Sequence, residues 1–214
     1  DHRDLHLSLR RQRQMCIRDS SLSLFLRIVT KQLYLSNCCL ILPSMQNIKK
    51  IGINGFGRIG RLILRGVFEY YTGKIQVVGI NDLGSIEANA HLIKYDSTHG
   101  ILDYDVKTSS EGFQIGDQNI KVFAERDPAK LPWGKIGADV VLECTGFFLD
   151  KTSAGKHIEA GAKKVIISAP AKEVDFTVVQ GVNSKDLKKE HNIISNGSCT
   201  TCLLYTSDAA DEGL

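Results

Sequence analysis

The chain has 214 residues, 43% of them hydrophobic and 24% charged, a globular balance that excludes a wholly disordered, collagen-like or repeat polypeptide. The formal net charge is +3, but residues 1–45 hold seven Lys/Arg and three Asp/Glu, which leaves 20 and 21 for the rest. A near-neutral body carries no electrostatic footprint for nucleic acid.

Residues 1–45 do not read as part of a fold. Residues 1–20 have no clean period, and the Leu- and Ile-rich stretch 21–42 contains Arg27 and Lys31. Those cations argue against a membrane span, which needs about 20 predominantly apolar residues. Leu22–Leu26 is too short for the apolar core of a signal peptide. RQRQMCIRDS and the final LLYTSDAADEGL resemble translated adapter or vector sequence. The expected organisation is therefore a non-native or disordered leader over 1–45, a dinucleotide-binding domain over 46–198, and the start of a further domain plus an artefactual tail over 199–214. Of six cysteines, Cys16, Cys38 and Cys39 fall in the leader, and the body keeps Cys144, Cys199 and Cys202. That is too few for an extracellular disulfide framework, so a reducing cytoplasm is the expected compartment.

From Met45 the pattern sharpens. Ile48–Asn54 is a short strand that stops at Gly55-Phe-Gly-Arg-Ile-Gly60. An amphipathic helix follows, with Ile59, Leu62, Ile63, Gly66 and Val67 on one side and Arg58, Arg61, Arg65 and Glu69 mostly on others. Lys74–Asp82 is nearly continuous apolar, as a parallel strand buried on both faces would be. Ile86–Tyr95 reads as a helix, and residues 103–124 as antiparallel hairpins turning at Glu111-Gly112 and Gly116-Asp117. Ala138–Cys144 is a buried strand, with Cys144 a core residue. Lys151–Ala160 is a helix closed by Gly161, and Lys163–Ala169 is another strand. Phe176–Val179 and Asn192–Ser195 complete the series. The expected fold is α/β: a Rossmann-type, doubly wound, mostly parallel sheet with helices on both faces and an antiparallel hairpin insertion. Ligands of such sheets bind beyond the strands' carboxyl ends, where Asn54, Asp82, Thr145, Ser168 and Ser198 fall.

A lone G-x-G-x-x-G is weak evidence, but here it links a strand to a helix, and Asp82 ends the next strand 22 residues past Gly60. That is the spacing of a dinucleotide fingerprint. Gly55 allows the tight turn, Gly57 lets a pyrophosphate approach the backbone, and Gly60 permits close helix–strand packing. Free N–H groups at the helix start face the phosphates. Asp82 can accept from the adenosine ribose hydroxyls and would repel a 2′-phosphate, so NAD is expected rather than NADP.

Ser195-Asn-Gly-Ser-Cys-Thr-Thr201 places Cys199 just past an apparent strand. Small hydroxyl residues suit the first turn of a helix, whose N–H groups would favour a thiolate and stabilise an oxyanion. A thiolate beside a nicotinamide cofactor suggests aldehyde oxidation through a thioester; a buried, inert cysteine is the alternative. Cys199-Thr-Thr-Cys202 supplies one C-x-x-C pair, which is not a four-ligand zinc site, and no metal is expected.

Four segments together, Asn54–Arg61, Lys94-Tyr-Asp-Ser-Thr-His-Gly100, Arg126-Asp-Pro128 and Ser195–Thr201, resemble phosphorylating glyceraldehyde-3-phosphate dehydrogenase over about Ile48 to Thr201. The resemblance implies that Arg58, Ile59, Asp82, Arg126 and Ser168 contact NAD, that Ser198, Cys199 and Thr200 bind substrate, and that Cys199 is the nucleophile. It implies oxidation of glyceraldehyde 3-phosphate with NAD and inorganic phosphate to 1,3-bisphosphoglycerate in glycolysis, by a homotetramer, with neither nucleic acid nor membrane as partner. The family continues Cys-Thr-Thr-Asn-Cys, whereas Cys202 follows Thr201 directly here. The general-base histidine and the phosphate-binding residues would lie beyond that point, so the chain as given is expected not to turn over. None of its six histidines takes the base role: His99 reads as structural, and His91, His157 and His191 as packing or solvated residues. An erythrose-4-phosphate dehydrogenase, a semialdehyde dehydrogenase or a non-catalytic NAD-binding module are the alternatives.

Overall fold

The computed structural model describes residues 48–179 and 182–197. Eleven strands and four α-helices follow one another among them. In chain order they are β1 (Lys49–Asn54), α1 (Arg58–Tyr70), β2 (Ile75–Asn81), α2 (Ile86–Lys94), β3 (Tyr95–Asp96), β4 (Gly100–Ile101), β5 (Val106–Ser109), β6 (Gly112–Ile115) and β7 (Gln118–Phe123). Then come α3 (Trp133–Ile136), β8 (Val140–Glu143), α4 (Lys151–Glu159), β9 (Lys164–Ile167), β10 (Phe176–Thr177) and β11 (Ile193–Ser195). Nine strands form one sheet in the order β10-β11-β9-β8-β1-β2-β7-β6-β5. Neighbours from β10 to β7 are parallel, and β6 and β5 continue as an antiparallel meander. The hairpin region thus joins the main sheet through β7. The pair β3–β4 is a separate antiparallel ribbon.

Strand alternation divides the core. Val140 and Leu142 of β8 enter one cluster with Ile51, Ile53, Ile63 and Val67, while Val141 points to the other face with Trp133 and Ala162. In β9, Ile166 joins the first face, and Val165 and Ile167 pack with Ala154 of α4. Both faces are covered, which is why the central strands read as continuous apolar runs. Trp133 lies so close to β1 and β2 that a Cβ on Gly52 or Gly79 would stand 2.6 Å from Trp133 or Ile136.

Two faces of α1 differ from the periodic reading. Ile59 is 45% exposed and Arg65 is 3% exposed. Ile59 sits in the helix's first turn, before the helix reaches the core. Arg65 turns inward because its Nη2 lies 2.7 Å from the Ile93 carbonyl, 3.1 Å from that of Lys94 and 3.0 Å from that of Gly100. Through Ile93 and Lys94 it caps the carboxyl end of α2, where the last carbonyls and the helix dipole favour a cation. The ribbon β3–β4 and the short helix α3 are the elements that the sequence pattern does not announce.

Candidate functional site

The carboxyl edge of the parallel strands carries a cleft of about 480 Å³, a size suited to a small-molecule or cofactor site. It lies where β1 has β2 on one side and β8 on the other, the point at which chain order reverses across the sheet and where ligands of such sheets bind. Gly55 and Gly57 line it from the turn after β1, Asp82 and Leu83 from the loop after β2, Arg126 from the loop after β7, and Thr145 and Phe147 from the loop after β8.

The glycine turn is sterically determined at two positions. Gly55 has φ +91°, and a Cβ there would meet the Thr145 backbone nitrogen at 2.7 Å. A Cβ on Gly60 would meet the Gly55 carbonyl oxygen at 2.2 Å, so α1 leaves β1 only if residue 60 lacks a side chain. Gly57 is different: it is the N-cap of α1, and a Cβ there would meet nothing within 4 Å. No side chain caps α1, and its first turn holds no acidic residue. The open amides and the positive end of the helix dipole therefore suit a diphosphate.

Asp82 helps to build the turn. Its Oδ2 accepts from the Phe56 N–H at 2.8 Å, and its Oδ1 accepts from the Gly84 N–H at 2.8 Å and from Asn89 Nδ2 at 3.4 Å. A carboxylate has about four acceptor positions, so one remains on Oδ2 for a sugar hydroxyl. The anionic group at the end of β2 and the uncapped helix start are the two features a dinucleotide requires, and the residues present fit NAD.

Of the sequence-predicted contacts, the cleft unites Gly55, Gly57, Asp82 and Arg126. Arg58, Ile59 and Gly60 stand beside it in the first turn of α1. The Arg58 side chain is held by the 96–98 turn, with Nη2 donating to Thr98 Oγ1 at 2.9 Å and Nη1 lying 3.6 Å from Asp96. Asp96 also accepts from the backbone N–H groups of Thr98 and His99 and from His99 Nδ1. Burial alone would raise that carboxyl, but these bonds and Arg58 bring it down to about 2. Ser168 follows β9, and its N–H donates to the Glu143 carbonyl at 3.0 Å. It does not line the cleft but neighbours Cys144, which does. The cysteine is therefore at the edge of the core rather than wholly inside it. Burial and the Glu143 carboxylate push its thiol upward, against a hydrogen bond from Ser168. Ser198, Cys199 and Thr200 lie outside the described residues.

Sequence reasoning missed a buried polar network under the cleft. Glu143 has a fully buried side chain. Its Oε1 accepts from the Thr145 N–H at 2.8 Å and from the Thr145 hydroxyl. Its Oε2 lies 2.5 Å from Asn54 Nδ2 and 3.0 Å from His157 Nε2. Trp133 Nε1 donates to His157 Nδ1 at 3.0 Å. On the other side, Asn81 Nδ2 donates to Asn54 Oδ1 at 2.7 Å and to the Glu125 carbonyl at 2.8 Å, and Asn81 Oδ1 accepts from the Glu125 N–H at 2.8 Å. A polar residue ending an apolar strand, as Asn54, Asn81 and Glu143 do, was the available signal.

The family model described as "Glyceraldehyde 3-phosphate dehydrogenase, NAD binding domain" matches residues 49–151. A glyceraldehyde-3-phosphate dehydrogenase of Xanthobacter flavus is 51% identical over 166 residues, covering 77% of this chain and 50% of that protein. One from Priestia megaterium is 53% identical over 156 residues, covering 72% and 46%. Glyceraldehyde-3-phosphate dehydrogenase 1 of Bacillus subtilis gives the same identity and coverage. The chain spans about half the length of the curated relatives it matches.

Proposed function

We propose, from the premise that residues 49–151 are the NAD-binding domain of the glyceraldehyde 3-phosphate dehydrogenase family, that the chain serves the NAD-dependent, phosphorylating oxidation of glyceraldehyde 3-phosphate. The observation that carries this reading is the cleft itself: an uncapped helix start, an unobstructed face at Gly57 and a carboxylate at the end of β2. In it the amides at the start of α1 hold the diphosphate, Asp82 holds the ribose and Arg126 adds a contact from the loop after β7; Arg58 and Ile59, beside the cleft in the first turn of α1, and Ser168, next to Cys144, complete the contacts from its margins. The domain extends over residues 46–198.

Bound NAD supplies the hydride acceptor. The protein supplies position and electrostatics. Cys199 acts as the nucleophile: its thiolate adds to the aldehyde carbon, the resulting thiohemiacetal is oxidised to a thioester, and inorganic phosphate opens the thioester to the acyl phosphate. Ser198 and Thr200 flank that reaction on the substrate side. The support for Cys199 is that β11 runs to the same carboxyl edge as β1 and β8, that its last bonded residues, Asn196 and Gly197, are tied to Ile167 and Ser195, and that Cys199 follows two residues later. The reading extends to a homotetramer in the cytoplasm, as in the family the motifs resemble; among the described residues no helix is long and apolar enough to cross a membrane.

The test is NADH absorbance with glyceraldehyde 3-phosphate and inorganic phosphate, using protein expressed from the complete reading frame, with erythrose 4-phosphate in parallel. The expected result is NADH formation with the triose phosphate that disappears in Cys199→Ser. Turnover that survives this substitution, or preference for the tetrose, contradicts the reading.

A further inference from the structure

We propose that Glu143 is a positioning residue for NAD: one buried carboxylate ties together the two opposite rims of the cofactor cleft, and the Trp133–His157 pair holds that carboxylate in place. This rests on the cofactor reading above.

Hydrogen-bond direction fixes the arrangement. An indole N–H can only donate. Trp133 therefore makes His157 Nδ1 an acceptor, and the ring proton sits on Nε2, which faces Glu143 Oε2 at 3.0 Å. Asn54 Nδ2 approaches the same oxygen at 2.5 Å, and Thr145 supplies two donors to Oε1. Four donors thus converge on a group with about four acceptor positions. From Oε1 the path reaches one rim, because Thr145 Oγ1 accepts from the Phe147 N–H at 3.1 Å. From Oε2 it reaches the other rim through Asn54 and Asn81 to Glu125, whose own Oε1 accepts from the Arg126 N–H at 2.8 Å. Phe147 and Arg126 both line the cleft.

Glu143→Gln keeps the shape but replaces one acceptor oxygen with an NH₂ group. Turned toward Oε2's partners, that group faces two donors, Asn54 Nδ2 and His157 Nε2; turned toward Thr145, it faces the Thr145 N–H and a hydroxyl that already accepts from the Phe147 N–H. Repacking the network moves at least one rim while leaving the glycine turn's own contacts intact.

The experiment uses the full chain, wild type and Glu143→Gln, with Lys163→Ala as a surface control remote from the cleft. NAD affinity is measured by calorimetry well below the melting temperature, with hydrogen exchange at the Thr145, Glu125 and Ile53 amides. The ligand-free wild type also gives the ¹⁵N pattern of His157. The expected results are an Nε2–H tautomer, unchanged affinity in Lys163→Ala, and about tenfold or weaker binding in Glu143→Gln. Exchange should quicken at Thr145 and Glu125 but not at Ile53. A folded Glu143→Gln chain that binds NAD within about twofold of wild type, or a proton found on Nδ1, overturns the proposal alone. Failure of the wild type to bind NAD overturns the cofactor reading and this one with it. If Glu143→Gln does not fold, Trp133→Phe decides: it should release the tautomer and weaken NAD binding, and wild-type affinity with a mixed tautomer overturns the proposal.

Discussion

Gly57→Ala separates the fold's demand for glycine from the ligand's. At this exposed residue, φ is −69°, which alanine adopts without strain, and the added Cβ meets nothing within 4 Å. Replacing glycine by alanine at an N-cap costs about 0.5–1 kcal/mol. Reduced freedom of the unfolded chain returns about 0.4–1 kcal/mol. The two nearly cancel, so stability should change by less than about 0.5 kcal/mol. Binding is another matter. The Cβ would occupy the face by which the diphosphate reaches the first amides of α1, and each charge-assisted hydrogen bond lost there is worth about 1.5–3 kcal/mol. One such loss, about 2 kcal/mol, weakens NAD binding roughly thirtyfold. Gly60→Ala should behave oppositely in its primary effect. Its Cβ stands 2.2 Å from the Gly55 carbonyl oxygen and 3.1 Å from Ile53 Cγ2, and this overpacking against backbone costs about 1–3 kcal/mol of stability. Thermal melts and NAD titrations of both variants are the assay. Wild-type NAD affinity in Gly57→Ala would refute the placement of the diphosphate.

Four further predictions follow from particular contacts. Asp82→Asn should narrow the preference for NAD over NADP, because the repelling charge is gone, and should lower the melting temperature by weakening the bond to the Phe56 N–H; parallel titrations and melts check both. Arg65→Ala should destabilise the domain by about 2–4 kcal/mol, since it removes a buried donor shared by the Ile93, Lys94 and Gly100 carbonyls, of which Lys94 keeps the Leu102 N–H, and leaves a cavity; urea denaturation reads this. Burial alone would raise the Asp175 carboxyl, but Lys151 and the amides of Ile193 and Asn192 bring it to about 2. A depressed folded-state value gives stability that is present above the ordinary carboxylate range, near 4, and lost as pH falls toward 2; Asp175→Asn should flatten melting temperature against pH in that window. Iodoacetamide near neutral pH should label Cys199 faster than Cys144, whose thiol is pushed upward by burial and Glu143; peptide mapping decides, and the reverse order would contradict the assigned nucleophile.

The parallel sheet was legible because strands buried on both faces must be nearly continuous in apolar residues, as Ile75–Asn81 and Val140–Glu143 are. The phosphate-binding turn was legible because Gly55 and Gly60 answer to backbone sterics that no other residue satisfies. Arg65 was misread for a physical reason: helical period assigns a charge to solvent, but the end of α2 offers the Ile93 and Lys94 carbonyls and β4 offers that of Gly100, which a buried guanidinium can satisfy. The ribbon β3–β4 is two residues per strand and held largely by Asp96, so no periodic signal could form. Glu143, His157 and Trp133 are 24 residues apart at their widest along the chain, and their partnership depends on α4 packing against β9 and the 128–130 turn, which spacing alone does not reveal.

The most direct measurement of the central claim is the amide ¹H–¹⁵N spectrum of the chain during titration with NAD. The largest saturable shifts are expected at Gly57, Arg58, Ile59 and Asp82, with Thr145 and Arg126 following at the rims and the β5–β6 meander unmoved. NADP should give the same pattern at higher concentration. Saturable shifts centred on the meander, or NADP binding equal to or tighter than NAD, would contradict it.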